Sequence, residues 1–228
     1  MAEYRNGKLY LPDVTLTAVT SVKVGPTIMA LLYSMREIEF GDVLLITHRR
    51  PFLLPRGIHY RHIRKLKEIN DFNHAMIYEV GAYIGTKFML LIHYDGFVVN
   101  PQSWDDEFLK YDYIGSPFPL PVDDFSYRDV DGHICRVGNS VSIRSKRLME
   151  LPEKAKIPFE ADHGFFNEDG FICCKNRHLF LKAGMKYAPL EVAARFGRER
   201  ELPEHAGVEP FVFHKWDGPN AGYPRFDR

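Results

Sequence analysis

The chain has 228 residues, of which 45% are apolar and 26% charged, and its 30 basic and 30 acidic side chains give a formal net charge of zero. These proportions are typical of a globular protein and exclude a disordered chain. Because no low-complexity stretch interrupts the sequence, we expect one continuous α/β unit.

The cysteines argue against a zinc module. Cys135, Cys173 and Cys174 are odd in number and have no CxxC spacing, which fits a reducing compartment and excludes a zinc knuckle. The N-terminus has no apolar signal region, and no stretch approaches the roughly 20 apolar residues of a membrane span. The sequence therefore predicts a cytoplasmic protein without a membrane span.

Charge is unevenly distributed along the chain. Residues 48–67 hold seven Lys and Arg and no acid, whereas residues 105–131 hold eight acids against two basic residues. The basic segment predicts either a solvated loop or a surface that contacts phosphates.

The first elements predict a βαβ unit. Residues 14–19 favour a strand that ends in a polar loop at Thr20-Ser21. Apolar residues at helical spacing over 28–38 predict a helix closed by Gly41, and the apolar run 43–47 predicts the next strand. Nucleotides bind at strand ends of this kind.

The next segment brings a polar turn to the end of a buried strand. A short element is expected over 58–63, and Asp71 is the expected N-cap of a helix that stops at Gly85. The apolar run 87–92 predicts a buried strand, followed by His93-Tyr94-Asp95-Gly96. Ligands bind outside the carboxyl ends of parallel strands, so this turn is a candidate site.

The rest of the chain is less periodic. The predicted elements are a short helix over 105–109, strands over 111–115 and 141–143, a helix over 145–151, a helix from Glu168 to Gly184, and an irregular C-terminal tail that wraps over the body.

Four polar groups along the chain are candidates for chemistry, and each has a plainer interpretation. Asp95 either binds a metal or bonds backbone amides of its turn. Small residues at 137–140 either admit a ligand or form a turn. Glu168-Asp169 either favours a helix N-terminus or accepts a proton. His214-Lys215 either lies at the surface or binds metal and phosphate.

The order of these groups resembles that of the GT-A glycosyltransferases, whose hallmarks are a DxD-type metal motif, a glycine loop, an xED motif and a C-terminal histidine. The resemblance is closer to one family of GT-A-type transferases and covers most of the chain. Its blocks stand here as Asp95-Gly96-Phe97-Val98, Asp112 to Pro117, Gly138 to Arg144, Glu168-Asp169, Pro189 to Phe196 and Pro210 to Trp216.

This resemblance implies a GT-A-like (Rossmann-like) α/β fold, in which helices flank a mostly parallel central sheet in a single domain over 1–228. Residues of about 1–96 would form the nucleotide-sugar-binding half. Residues of about 97–228 would form the acceptor-binding half with the C-terminal tail. It implies a metal-dependent hexosyltransferase that uses a nucleotide sugar, most simply a UDP-sugar, with Mn²⁺ or Mg²⁺.

The resemblance also assigns residues. Asp95 and His214 would bind the cation, with His93 as a further ligand, although His93 stands where the motif has Asp. Asp169, beside Glu168, would take the proton from the acceptor hydroxyl in an inverting displacement. The nucleotide pocket would be lined by Thr20, Ser21, His48, Asn73, Tyr94, Asp95 and Gly96, with Lys215 on the diphosphate.

Other functions stay open on the sequence. The acceptor is a glycan, a small molecule or, if residues 48–67 bind phosphates, a hydroxylated base in DNA. The same polar residues also suit a metal-dependent hydrolase, although HxH and HExxH spacings are absent, or a non-catalytic nucleotide-binding module. The sugar, the stereochemical course and the oligomeric state are not determined by the sequence.

Overall fold

A mostly parallel sheet organises the chain in a computed structural model that describes residues 3–160 and 167–227. The strands are β1 (Glu3–Arg5), β2 (Lys8–Val19), β3 (Ile38–Thr47), β4 (His59–His62), β5 (Phe88–Ile92), β6 (Tyr113–Pro117), β7 (Val137–Ser145), β8 (Gly197–Arg198) and β9 (Val212–Phe213). The α-helices are α1 (Val24–Ser34), α2 (Ile69–His74), α3 (Lys146–Lys154), α4 (Glu168–Gly170), α5 (Arg177–Lys182) and α6 (Leu190–Phe196).

The strand order in the main sheet is β4-β3-β2-β5-β7-β6, with β1 antiparallel on β2. Strands β4, β3, β2 and β5 are mutually parallel, and β7 runs antiparallel to both β5 and β6. Helices flank this sheet, which confirms the predicted α/β class. The division near residue 96 stays a prediction.

Apolar side chains cover both faces of the parallel strands. Along β3, Val43 and Leu45 belong to the main cluster, which includes residues of α1 and of the C-terminal tail. Leu44 and Ile46 belong to a second cluster, which includes residues of the segment after α2. Successive strand residues point to opposite faces, so a sheet covered on both faces needs the continuous apolar runs seen in the sequence.

The first helix ends earlier than predicted. It stops at Ser34, and Ile38 already begins β3. Gly41 therefore lies inside a strand and ends no helix. A Cβ at this position would lie 2.0 Å from the Pro12 carbonyl oxygen, so the residue allows the close approach of β2 where the register shifts.

Two further predicted helices are irregular. The first begins at Ile69, two residues before Asp71, and changes to a π-helix and then a 3-10 helix that ends at Tyr83. The helix opened by Glu168 passes through a π-turn and breaks at Asn176 before α5. Gly184, with a φ of 76°, closes it as predicted.

The C-terminal tail is part of the core. Strands β8 and β9 form a parallel pair, and the Phe211 and Phe213 side chains are fully buried among residues of the main cluster. The tail is thus held against the sheet by apolar burial as well as by strand pairing. Within the described ranges, no helix combines the length and apolar character needed to cross a bilayer.

Candidate active site

The turn after β5 is tight and presents Asp95. The His93 amide donates to the Gly96 carbonyl at 2.7 Å, and the Gly96 amide donates back at 3.3 Å. The Asp95 side chain is 22% exposed. In the described part of the chain its carboxylate accepts no hydrogen bond from a backbone amide, so the turn-stabilising interpretation is not favoured.

The C-terminal tail docks directly on this turn. The Lys215 amide donates to the Asp95 carbonyl at 2.7 Å, and the His214 amide donates to the Arg198 carbonyl at 3.0 Å. A Cβ on Gly96 would lie 2.8 Å from His214 Cδ2 and 2.9 Å from the Phe213 carbonyl oxygen. Gly96 therefore allows the tail to approach, which brings His214 to Asp95.

The His214 imidazole lies between two carboxylates. Its Nε2 is 4.0 Å from Asp95 Oδ1, and its Nδ1 is 3.8 Å from Glu199 Oε2. The Nδ1 atom is buried without a hydrogen-bond partner. Glu199 thus lies behind the imidazole, and Asp95 faces its other nitrogen. This set of groups fits a divalent cation, because a carboxylate behind a metal-binding histidine orients the ring.

Glu199 was not predicted from the sequence. Its carboxylate accepts hydrogen bonds from Asn139 Nδ2 and Lys215 Nζ. Burial raises the pKa of Glu199, but the neighbouring His214 and Lys215 outweigh it and hold the pKa at about 2. The residue lies in the charged run 198–201, which by sequence looks like any solvated loop.

One ring nitrogen of His93 is held by a hydrogen bond. Its Nε2 lies 2.8 Å from Ser140 Oγ, and this hydroxyl donates to Glu168 Oε1 at 2.5 Å. Since Ser140 has one proton to give, His93 Nε2 is the donor in the first bond. Burial and the nearby His214 lower the pKa of His93 to about 4, so the ring is neutral near pH 7.

Glu168 is held in a buried ion pair. Its Oε1 accepts from Arg144 Nη2 at 2.9 Å, and the two side chains are 2% and 0% exposed. Burial raises the pKa of Glu168, but the charge of Arg144 and the Ser140 hydroxyl outweigh it and lower the pKa. The pair fastens α4 to β7 and leaves no exposed carboxylate for catalysis at Glu168.

Asp169, the neighbouring acid, faces a cavity of about 360 Å³. Burial and the charge of Glu168 raise the pKa of Asp169 to about 7. Glu199 and Lys215 line the same cavity, which therefore reaches the tail residues beside Asp95. A carboxyl group with a pKa near neutrality suits proton transfer to or from a bound molecule.

A second cavity, of about 310 Å³, adjoins the His93–Gly96 turn. Thr20, Ser21 and Tyr94, three of the residues predicted for a nucleotide pocket, line this cavity together with His93. The Lys23 ammonium lies 4.4 Å from the centroid of the Tyr94 ring. Lys215 lines the first cavity and Tyr94 lines the second, so residues at the contact between the turn and the tail line both.

Five residues predicted for the pocket lie outside this lining: Asp95, Gly96 and Lys215, which belong to the turn and the tail, and Asn73 and His48. Asn73 is fully buried; its Oδ1 accepts from the Glu168 amide at 3.2 Å, and its Nδ2 donates to Asn167 Oδ1 at 3.2 Å. It therefore holds the start of α4. His48 is half-buried, and its Nδ1 is buried without a hydrogen-bond partner.

An exposed loop groups another set of potential ligands. Among the described residues, three ligand atoms within 4.8 Å of one another occur only at Asp129, Asp131 and His133. Asp129 Oδ1 accepts hydrogen bonds from the backbone amides of the other two residues. This carboxylate stabilises the loop, and the predicted ligands Asp95, His93 and His214 form no such close group.

Comparisons with solved structures define the fold class as GT-A. A crystal structure of galactosyltransferase LgtC in complex with donor and acceptor sugar analogues matches 90% of this chain and 87% of that chain, with a TM-score of 0.52 and 13% identity. A structure of an LgtC active-site mutant matches 90% and 88%, with a TM-score of 0.50 and 12% identity. Identities this low establish the fold alone.

Within this class, residues 59–214 match the model of the family described as "Protein of unknown function (DUF5672)". The match spans more than half of the chain, so the chain belongs to this family. None of the curated proteins is a match for it.

Proposed function

We propose that the protein is a metal-dependent glycosyltransferase that moves a sugar, expected to be a hexose, from a nucleotide sugar to an acceptor hydroxyl with inversion. One observation carries the proposal. Residues at the contact between the turn and the tail line two cavities, and the first of these cavities holds a carboxyl group, Asp169, with a pKa of about 7. Donor binding on one side and acceptor activation on the other need this arrangement.

Asp95 and His214 are the proposed metal ligands. Their facing atoms, 4.0 Å apart, are a carboxylate oxygen and an imidazole nitrogen. His93 is a further candidate through Nδ1, because the hydrogen bond from its Nε2 to Ser140 leaves the lone pair on Nδ1. A bound Mn²⁺ or Mg²⁺ would neutralise charge on the diphosphate leaving group. Lys215 Nζ, on the same tail, adds a positive charge close to this position.

The cavity lined by Thr20, Ser21 and Tyr94 is the proposed site of the nucleotide part of the donor, taken here as UDP. Its lining is mostly apolar, with hydroxyls at the end of β2 and the Tyr94 ring after β5. A flat apolar wall with a few polar groups suits a base and a ribose. His48 and Asn73 are not part of this proposal, since neither lines the cavity.

Asp169 is the proposed general base. In the displacement, its carboxylate accepts the proton of the acceptor hydroxyl while the acceptor oxygen forms a bond to the anomeric carbon. The bond from that carbon to the phosphate oxygen breaks, and the nucleoside diphosphate leaves with the electron pair. Glu168 positions Asp169 through its ion pair with Arg144.

The acceptor is proposed to be a glycan or small-molecule hydroxyl that enters the Asp169 cavity. The basic segment 48–67 lies on and around β4, which three strands separate from β7. At a strand spacing of about 4.8 Å, this places β4 roughly 19 Å from β7, on which α4 is fastened. The segment therefore does not support DNA as the acceptor at this site.

Thermal unfolding with nucleotides tests the proposal. UDP with Mn²⁺ is expected to raise the Tm of the protein, because a ligand that binds only the folded state stabilises it. UDP without a divalent cation is expected to raise it less, and Asp95→Asn is expected to lose the Mn²⁺-dependent part. Asp13→Asn, at a half-exposed carboxylate that lines neither cavity, is the matched control and should keep it.

A screen of nucleotide sugars then identifies the donor. Release of nucleoside diphosphate that depends on an added acceptor and is lost in Asp169→Asn supports the transferase. Release that depends on metal and water alone supports a hydrolase. Absence of any nucleotide response in both assays contradicts the proposal and supports a non-catalytic module.

A further inference from the structure

The loop before β4 combines exposed apolar and basic side chains. Phe52 is 99% exposed and Leu53 is 80% exposed, although large apolar side chains usually lose most of their exposure on folding. Arg49, Arg50 and Arg56, all exposed, flank these two residues. We define the tip surface as residues 49–56.

The base of this loop is anchored. Leu54 packs against the main cluster, Ile58 is buried in it, and the Ile58 amide donates to the Pro55 carbonyl at 3.3 Å. Pro51 and Pro55 restrict the backbone between these points and the tip. Phe52 and Leu53 are therefore held outward by a fixed loop while their neighbour Leu54 points inward.

The positive charge continues along the edge strand. Arg61, on β4, and Lys65 and Lys67, after it, are exposed. Within the described ranges none of these three residues, nor the three arginines of the tip surface, forms an ion pair with an acid. Arg64 is the exception, since it pairs with Asp71 at 2.5 Å. The edge thus carries an uncompensated positive field.

We infer that the tip surface docks on an anionic lipid membrane. An interfacial protein inserts a few apolar side chains at the headgroup level while nearby Lys and Arg contact anionic lipids. Phe52 and Leu53 supply the first feature, and the surrounding basic residues supply the second. The inference is independent of the proposed transferase activity.

A nucleic acid is a weaker fit to the same surface. Phosphate contacts need the basic residues alone, and Leu53 has no ring face on which a base can stack. Phe52 and Leu53, exposed on an anchored loop, can insert into a partner that has an apolar interior. Charge complementarity and the exposed apolar pair together favour a bilayer.

Sedimentation of the full-length protein with vesicles tests this inference. The probes are vesicles of phosphatidylcholine alone and vesicles that also contain about 30 mol% phosphatidylglycerol. We expect binding to the anionic vesicles only, weakened but not abolished by salt, because charge screening leaves apolar insertion intact. Equal binding to both compositions, or binding to neither, overturns the inference.

Variants separate the two contributions. Phe52→Ser with Leu53→Ser is expected to lower the partition coefficient by about tenfold or more without a change in Tm. Arg49→Glu with Arg50→Glu should do the same. The control is Leu120→Ser with Val122→Ser, since these side chains are 62% and 101% exposed beside Asp123 and Asp124. It should keep wild-type partition.

Duplex DNA is the competing probe. One outcome is that the protein binds duplex DNA as tightly as anionic vesicles, with both affinities unchanged by Phe52→Ser with Leu53→Ser. In that case the basic edge is a nucleic-acid surface and the inference is wrong. If the serine pair weakens vesicle binding and the control does not, the inference stands.

Discussion

Glu199 shows how one side chain can set the properties of a neighbour. It faces His214 Nδ1 at 3.8 Å while the opposite ring nitrogen faces Asp95. An ionised carboxylate at this position favours a proton on Nδ1 and leaves the Nε2 lone pair free for a metal. We infer that Glu199 is a positioning residue for His214.

Glu199→Gln is therefore expected to weaken Mn²⁺ binding by about 10- to 100-fold, because the amide keeps the shape and loses the charge. Calorimetric titration with Mn²⁺ measures the affinities of the wild type and the variant. Glu209→Gln is the control, since Glu209 is exposed. Equal Mn²⁺ affinities of the two variants and the wild type would mean that Glu199 only supports the fold.

Asp169 predicts a pH dependence of stability. Its pKa is about 7 in the folded protein, above the usual 3.8, so folding favours the protonated form. The stability that it contributes is full below about pH 4 and is lost as the pH rises through about 7. Unfolding by urea at several pH values should show the free energy of unfolding declining across this window.

Asp169→Asn should reduce that decline, because asparagine has no proton to lose. The comparison variant is Asp13→Asn, whose side chain is 47% exposed. It should follow the wild-type pH profile. If Asp169→Asn also follows the wild-type profile, the carboxyl group does not titrate near neutrality.

The element that presents Asp169 depends on a buried ion pair. Arg144 on β7 and Glu168 at the start of α4 are both almost inaccessible to water. Removal of one partner leaves the other charge buried and unpaired, which costs about 3–5 kcal/mol. Arg144→Met is therefore expected to lower the free energy of unfolding by about that amount, measured by urea denaturation.

The double variant Arg144→Met with Glu168→Leu provides the control for this prediction. It leaves no unpaired charge, so it should recover a large part of the lost stability. If the two single substitutions and the double variant lose equal stability, the ion pair is not what holds α4.

The turn and the tail are joined at Gly96. A Cβ there would lie 2.7 Å from Val141 Cγ2 and 2.8 Å from His214 Cδ2. Gly96→Ala should push β9 and His214 away from Asp95, and we expect both a lower Tm and weaker Mn²⁺ binding. Thermal unfolding and a Mn²⁺ titration measure these effects.

Gly85→Ala is the matched control, because a Cβ on Gly85 meets nothing within 4 Å and its φ is not positive. This variant should keep the wild-type Tm and Mn²⁺ affinity. Mn²⁺ affinity that stays unchanged in Gly96→Ala would show that His214 need not approach Asp95.

Local patterns predict the elements better than their ends. The apolar run before His93 identifies β5 because a strand covered on both faces has few polar residues. The prediction for Gly41 is wrong because a glycine after a helical pattern usually marks the end of a helix. In the fold, this position needs a glycine because the Pro12 carbonyl, on another strand, lies against it. A contact between separate strands leaves no local pattern.

At the scale of the whole molecule, the candidate site is also built from contacts between distant segments, which leave no local pattern in the sequence. Asp95 and His214 were predicted as partners because a family resemblance supplied their pairing. Glu199 and Arg144 could not be predicted, since a glutamate in a charged run and an arginine in a strand have many ordinary explanations. Only the folded sheet and tail show which of these charges are buried together.

The residues after Trp216 pack on α1 and on the segment after β5. The Phe226 ring lies 5.8 Å from the Tyr33 ring of α1 and 5.4 Å from the Phe97 ring after β5. Asn220 is fully buried and donates to the Arg198 and Lys215 carbonyls at 3.0 and 3.1 Å. These contacts hold the backbone on both sides of His214.

Truncation after Trp216 should therefore lower the Tm by on the order of 10 °C and weaken Mn²⁺ binding, although Asp95 and His214 both remain. Removal of residues 1–5 is the control, because β1 is exposed throughout and pairs with the first residues of β2, Lys8 to Tyr10. It should change the Tm by only a few degrees. Calorimetry and Mn²⁺ titration of both truncations compare them. If the tail truncation keeps full Mn²⁺ affinity, the turn and β9 alone position His214, and the last residues serve stability only.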